Sequence, residues 1–231
     1  MAFATGAIVS IILTVAYYMS VSGRPKWKPR KVVHICMGSV VGLTLVGYSN
    51  LSGPAFALGI FLFIIFYSWA HKSELIWDLL LAGSREGESR ATTFLAGFMG
   101  MASFGIVFIA FYWEPAIFVA AILSVAWGDG AGEVIGRPYG GKLFKSKYHN
   151  KSVEGTIAVF FFTVLALVVS LLVYSRETCI ICVLPQIFIV AFFATLAEIL
   201  SIGWTDNFLI PMVTAIAMWL LLYPGIAIFL F

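Results

Sequence analysis

Two carboxylates, Asp129 and Glu133, lie four residues apart in the segment 126–136. On a helix this spacing places both side chains on one face. Two anions that close, with no base between them, repel each other unless one is protonated or a cation separates them. A Mg²⁺ ion would satisfy both, because it binds one or two carboxylates and leaves its other positions to water and phosphate oxygens. The alternative is a protonated Glu133 that is hydrogen-bonded to a neighbouring helix.

A glycine-punctuated turn with two cations follows directly, over residues 136–142. Free backbone N–H groups combined with arginine and lysine predict a concavity that binds an anion such as a phosphate. The residues concerned are Gly136, Arg137, Gly140, Gly141 and Lys142. A glycine-rich loop is a weak signal by itself, and the alternative is an ordinary turn.

The next apolar run opens with a cation, a hydroxyl and an acid, at Lys151, Ser152 and Glu154. Ser152 suits a helix N-cap, and Glu154 is favoured in a first turn by the helix dipole, so both have an explanation without a function. That explanation leaves Lys151 unexplained, although a lysine in a cytoplasmic loop needs no special role.

A third polar group begins at Glu198, deep in an apolar run, and ends with Asp206 and Asn207 at the start of the last run. An ionisable side chain inside a membrane span costs about 2.5–3.5 kcal/mol, so each needs a reason. Asp206 could accept a proton from an attacking hydroxyl, and Asn207 could hold a metal-bound water or a phosphate or merely cap the helix. Near the N-terminus, Arg30 and His34 share a helix face by their spacing.

The elements that must position these residues are membrane helices. The chain has 231 residues, is 61% hydrophobic and only 11% charged, and has a mean hydropathy of +1.02. Soluble domains are about 25% charged. We therefore predict an all-α polytopic membrane protein, a single domain over 1–231 with a bundle of about eight transmembrane helices, seven to nine. The expected spans are 2–21, 33–50, 54–70, 92–112, 115–136, 153–174, 180–202 and 208–230, with an interfacial helix over 74–83.

The basic residues fix the expected orientation. The loops are numbered in chain order between the expected spans. Of 14 Lys and Arg residues, only Arg176 falls in an even-numbered loop. The positive-inside rule then places the basic loops in the cytoplasm and both termini outside. The net charge of +3 is too small to indicate a nucleic-acid partner. The three cysteines, Cys36, Cys179 and Cys182, are expected to be small packing residues without a disulfide.

Several carboxylates and cations on one membrane face, with no Ser or Cys arranged beside a His, favour phosphoryl transfer over acyl transfer, because the former depends mostly on positioning and charge neutralisation. A lipid transporter or flippase is the alternative from another class. The lack of an internal repeat and the concentration of charge at one face argue against it.

Four motifs resemble those of the CTP-dependent polyprenol kinases, a family that includes phytol, farnesol and dolichol kinases and a CTP-dependent diacylglycerol kinase. They are the stretches 30–38, 127–140 and 151–156 and the pattern Glu198…Asp206-Asn207…Pro211. The resemblance covers about residues 30 to 230. The residues of the motifs are most similar to those of the phytol kinase subgroup. The residues at family motif positions are Arg30, Lys31, Asp129, Gly136, Lys151, Glu154, Gly155, Glu198, Asp206 and Asn207.

The resemblance implies transfer of a CTP phosphoryl group to the hydroxyl of a membrane-dissolved isoprenoid alcohol, with Mg²⁺ or another divalent cation. Diacylglycerol or dolichol kinase is the alternative within the family. We expect Asp129, Glu133 and Glu154 to hold the metal, and Asp206 or Glu198 to deprotonate the alcohol. The expected nucleotide-binding set is Arg30, Lys31, Gly136, Arg137, Gly140, Gly141, Lys142, Lys151, Ser152, Glu154, Gly155 and Asn207. The oligomeric state stays open.

Overall fold

The computed structural model describes residues 2–25, 27–44, 47–48, 52–53, 56, 59–60, 63, 90–141, 144–145 and 150–226. The chain divides into two compact units, residues 1–93 and 94–231. The predicted span 54–70 lies largely outside the described residues. The interfacial helix 74–83 and Lys142 lie wholly outside them.

The first unit contains helices α1 (Ala2–Val21) and α2 (Trp27–Thr44), which pack against each other. Gly23 turns the chain between them with a φ of +73°, a conformation that favours glycine. Helix α2 begins six residues before the predicted span 33–50, since Pro29 is tolerated in a first turn. Arg30 and Lys31 therefore lie inside the helix, where Lys31 is buried.

Within its described residues, the second unit is helical apart from one pair of short strands. Its elements, with the first residues of α3 belonging to the other unit, are α3 (Arg90–Ala110), α4 (Pro115–Leu123), a π-helical turn (Ser124–Asp129), α5 (Gly130–Tyr139), β1 (Phe144–Lys145), β2 (Asn150–Lys151), α6 (Val153–Tyr174), α7 (Leu184–Leu200), a 3₁₀ turn (Gly203–Thr205) and α8 (Asp206–Leu222). The two strands pair antiparallel, Phe144 with Lys151 and Lys145 with Asn150.

Helix α4 forms the centre of the second unit. Every residue from Ala116 to Leu123 is buried, and the helix packs against α6 and α8, with α7 beside both. Small hydroxyl side chains join the helices. Ser170 donates to the carbonyl of Ala116 at 2.5 Å, and Ser124 shares a hydrogen bond of 3.0 Å with Thr214. Close packing through small residues is typical of membrane helices.

By length and composition, three helices in the described part of the chain could cross a membrane, over Ala4–Val21, Pro115–Tyr139 and Val153–Tyr174. Leu95–Ala110, Leu184–Leu200 and Asp206–Leu222 are shorter apolar helices. The helical, membrane-type fold agrees with the sequence prediction. The predicted number of eight transmembrane helices is not confirmed.

The expectation that all three cysteines are packing residues is wrong for two of them. Cys179 and Cys182 form a disulfide, because the turn between α6 and α7 brings their Cα atoms to 5.2 Å, within the usual range for this bond. Helix α7 therefore begins at Leu184, not at 180. Helix α8 also stops early, at Leu222, because Gly225 turns the chain with a φ of +106°.

Candidate active site

Helices α5 and α6 approach each other so closely that their backbones touch. A Cβ on Gly136 would lie 2.8 Å from Oγ of Ser152 and 3.2 Å from Cα of Gly155, and one on Gly155 would lie 2.8 Å from the carbonyl oxygen of Gly132. Only glycine allows this separation. The predicted turn over 136–142 is wrong for its first residues, because α5 continues to Tyr139. The contact brings the end of α5 against the first residues of α6.

Polar side chains at the start of α6 hold this helix against the end of α5 and the glycines that follow it. Oγ of Ser152 accepts a hydrogen bond from the backbone N–H of Gly155 at 3.0 Å, so Ser152 is the expected N-cap. The carboxylate of Glu154 accepts from the backbone N–H of Gly141 at 3.0 Å. One N–H group of the predicted phosphate-binding turn is thereby directed at Glu154. The nucleotide-binding roles of these residues stay predictions.

Lys151 and Glu198 join the start of α6 to the end of α7. The Lys151 ammonium forms an ion pair with Oε1 of Glu198 and also donates to its carbonyl oxygen at 3.1 Å. Glu198 is 5% exposed. Its other carboxylate oxygen, Oε2, is buried and has no hydrogen-bond partner among the described residues. A buried carboxylate oxygen without a donor is costly, so it suits a ligand that supplies one.

Two further carboxylates lie within electrostatic reach of Glu198. The charges of Asp129 and Asp206 both act on it, and both residues are at least nine-tenths buried. Together with Lys151 the cluster holds three acids and one base, so it attracts cations. We call Lys151, Glu198, Asp129 and Asp206 the carboxylate cluster.

Within the described ranges, no three His, Cys, Asp or Glu side chains form a group that could hold a metal ion by themselves. The oxygen donors of the carboxylate cluster nevertheless fit Mg²⁺, which uses one or two carboxylates and takes the rest of its ligands from phosphates and water. The orphaned Oε2 of Glu198 is consistent with such a partner.

Glu133 has a different partner from the one expected. Its Oε1 accepts from Nε of Arg137, one turn further along α5, at 2.7 Å. The sequence showed no base between the two acids. In the structure, Arg137 is the base that pairs with Glu133. This ion pair accounts for Glu133 without a metal, although the metal role stays a prediction.

Asn207 fastens α8 to α3. Its side-chain Nδ2 donates to the backbone carbonyl of Ala96 at 3.3 Å. Its backbone carbonyl oxygen accepts from Oγ of Ser103 at 2.9 Å. Its backbone N–H donates to Oδ1 of Asp206 at 2.8 Å. These bonds support a structural role for Asn207, and they fix the direction of the Asp206 carboxylate.

Arg30 and Lys31 belong to the first unit, and both have interaction partners. Their nucleotide-binding role stays a prediction. Sequence reasoning missed the π-helical turn before Asp129 and the contact of Gly128 with Thr163. In the sequence, only Gly128, the residue before Asp129, could have suggested a close approach to another helix.

Fold and site together define a helical protein with a membrane-type surface that gathers buried acids and one lysine at one end of its second unit. No family model matches the chain, and no solved structure matches it. The chain is similar to a phytol kinase of Synechocystis sp., with 27% identity over 217 residues, which cover 91% of this chain and 86% of that protein. This distant likeness supports the polyprenol kinase family indicated by the motifs, without selecting one member.

Proposed function

We propose that this protein transfers the γ-phosphoryl group of CTP to the hydroxyl of a membrane-dissolved isoprenoid alcohol, phytol or a similar polyprenol. The observation that carries the proposal is the Lys151–Glu198 pair, with Asp129 and Asp206 beside it, at the end of an apolar bundle. The similarity to a phytol kinase over most of the chain supports it.

The position of the carboxylate cluster suits a reaction between a water-soluble triphosphate and a lipid. Glu198 lies two residues before the end of α7, and Asp206 is the first residue of α8. Both therefore lie where apolar helix surface gives way to a polar turn. An alcohol that enters from the lipid would place its hydroxyl at this depth, within reach of a nucleotide arriving from water.

Glu198 is the better candidate for the base. Its buried Oε2 has no partner among the described residues and can accept the proton of the alcohol, whereas Asp206 has further interactions besides the bond from Asn207 to its Oδ1. Lys151 stabilises the ionised form of Glu198 and fixes its orientation. As the proton passes to Oε2, the alcohol oxygen bonds to the γ-phosphorus, and the bond from that phosphorus to the β-phosphate oxygen breaks to release CDP.

The triphosphate would lie beside the end of α5 and the two glycines that follow it, Gly140 and Gly141. The half-exposed Arg137 and the third N–H of Lys151 are the donors proposed for it. The backbone N–H groups of Gly140 and Gly141 are not, since they already donate to Gly136 and Glu154. Arg30 and Lys31 stay candidate donors from the sequence motifs alone. A divalent cation bound by Asp129, with Glu133 and Glu154 as further candidate ligands, would neutralise the charge of the phosphates.

The test is a label-transfer assay with the full-length protein in lipid nanodiscs. The donors are γ-³²P-labelled CTP and ATP, and the acceptors are phytol, farnesol, dolichol and diacylglycerol, with Glu198→Gln as the matched inactive control. We expect label from CTP to enter an isoprenoid alcohol. Label in diacylglycerol alone would support the alternative kinase. Movement of lipid between leaflets without any label transfer would support a flippase.

A further inference from the structure

Gly128 packs against the middle of α6 with no space for a side chain. A Cβ built on it would lie 2.5 Å from Oγ1 of Thr163 and 3.4 Å from the carbonyl oxygen of Val159. Thr163 is completely buried, and its hydroxyl has no hydrogen-bond partner in the part of the chain that the structure describes. The Thr163 side chain therefore contributes to this contact through its shape, since a buried hydroxyl without a partner adds nothing favourable to stability.

The same glycine belongs to the π-helical turn Ser124–Asp129, whose last residue is Asp129. A π turn holds about one residue more than an α turn, so it rotates the residues that follow by about 100° relative to a continuous α-helix. The turn is thus what directs Asp129 and α5 after it. A second contact holds the beginning of the turn, where Ser124 is hydrogen-bonded to Thr214 of α8.

We propose that Gly128 and Thr163 are positioning residues, whose contact holds the π turn in the place that keeps Asp129 within the carboxylate cluster. This inference rests on the proposed function and adds to it two residues that touch neither nucleotide nor lipid. A larger residue at position 128 would push the turn away from α6 and carry Asp129 with it.

The decisive experiment combines Gly128→Ala with changes of Thr163. Gly128→Ala should lower kcat between about 10- and 100-fold, the loss typical of a misplacement near 1 Å, and change KM for the lipid alcohol little. Thr163→Ala removes the atom that the new methyl group would meet, so Gly128→Ala/Thr163→Ala should recover most of kcat. Gly128→Ala/Thr163→Val, which keeps the crowding, should not recover it.

Gly105→Ala is the matched control, because it is the same substitution within a helix, at a glycine with nothing within 4 Å of its Cβ position. It should leave kcat unchanged. Thermal unfolding of each variant in detergent shows whether the assay temperature leaves it folded.

Wild-type kcat in folded Gly128→Ala would overturn the positioning role while the proposed function stands. Equal kcat in the Ala and Val double variants would overturn the Thr163 contact. Absence of any phosphoryl transfer by the wild-type protein would instead overturn the proposed function, and the positioning role with it.

Discussion

The Lys151 ammonium donates to both the side chain and the backbone carbonyl of Glu198, 47 residues further along the chain. One cation thus ties the end of β2, two residues before α6, to the end of α7 and neutralises a buried acid. A buried ion pair contributes little net stability, but the loss of one partner leaves the other charge unpaired. The pair therefore fixes the geometry of the carboxylate cluster more than it stabilises the fold.

Lys151→Met should destabilise the protein by about 3 kcal/mol, because it leaves Glu198 buried and unpaired. Adding Glu198→Gln should restore most of that stability without restoring phosphoryl transfer, since the proposed base is then missing. Chemical or thermal unfolding in detergent measures the first effect, and the label-transfer assay measures the second. Lys145→Ala, at a position explained by membrane topology, should change neither. If Lys145→Ala lowered kcat/KM as much as Lys151→Met, general positive charge and not a site would be responsible.

Asp129→Asn should reduce turnover below about a tenth of the wild-type value while the protein stays folded, because it removes a charge with little change of shape. Glu133→Gln should have the milder effect, since it breaks an ion pair with the half-exposed Arg137 that is worth about 0.5 kcal/mol or less. Turnover of both variants is measured over a range of Mg²⁺ concentrations. Activity near wild type in Asp129→Asn would rule it out as a metal ligand.

The long apolar runs were predictable from the sequence, and helices α1 and α6 begin and end as predicted, at Ala2–Val21 and Val153–Tyr174. Hydropathy defines such helices locally, as Ser152 does for the start of α6. The pairing of Lys151 with Glu198 was not predictable, because it depends on how α6 and α7 pack.

The ion pair of Glu133 with Arg137 lies four residues apart and was visible in the sequence. The interpretation missed it by treating the two acids as a pair. The π turn that ends at Asp129 has no signal in the sequence, because it depends on how this segment packs against α6, where Gly128 lies close to Thr163.

The disulfide between Cys179 and Cys182 lies in the turn between α6 and α7, at the other end of these helices from the carboxylate cluster. Replacing both cysteines by serine should cost about 2 kcal/mol at most, because the closed loop is very short, and should leave phosphoryl transfer near wild type.

If the basic loops are cytoplasmic, a membrane-impermeant thiol reagent should label the reduced turn from outside and a cysteine at position 145 only after permeabilisation. The reverse pattern would contradict the predicted orientation.

Glu114, in the turn between α3 and α4, should make stability depend on pH. Burial raises the pKa of its carboxyl above the ordinary value of 4.5, and interaction with the Tyr223 hydroxyl lowers that pKa by less. Burial also raises the pKa of Tyr223 to about 12, so the phenol stays neutral below that pH. Because the folded protein binds the Glu114 proton more tightly than the unfolded chain does, this contribution to stability is complete below pH 4.5 and is lost as the pH rises through the folded pKa.

The unfolding temperature of the wild-type protein should therefore fall over this pH window, while Glu114→Gln, which cannot ionise, should lack that part of the decline and unfold at a higher temperature at neutral pH. Glu177→Gln, at an exposed position between α6 and α7, is the control and should keep the decline. Thermal unfolding in detergent from pH 4 to pH 8 measures all three proteins. Parallel curves for the wild type and Glu114→Gln would show that burial of this carboxyl does not oppose its ionisation.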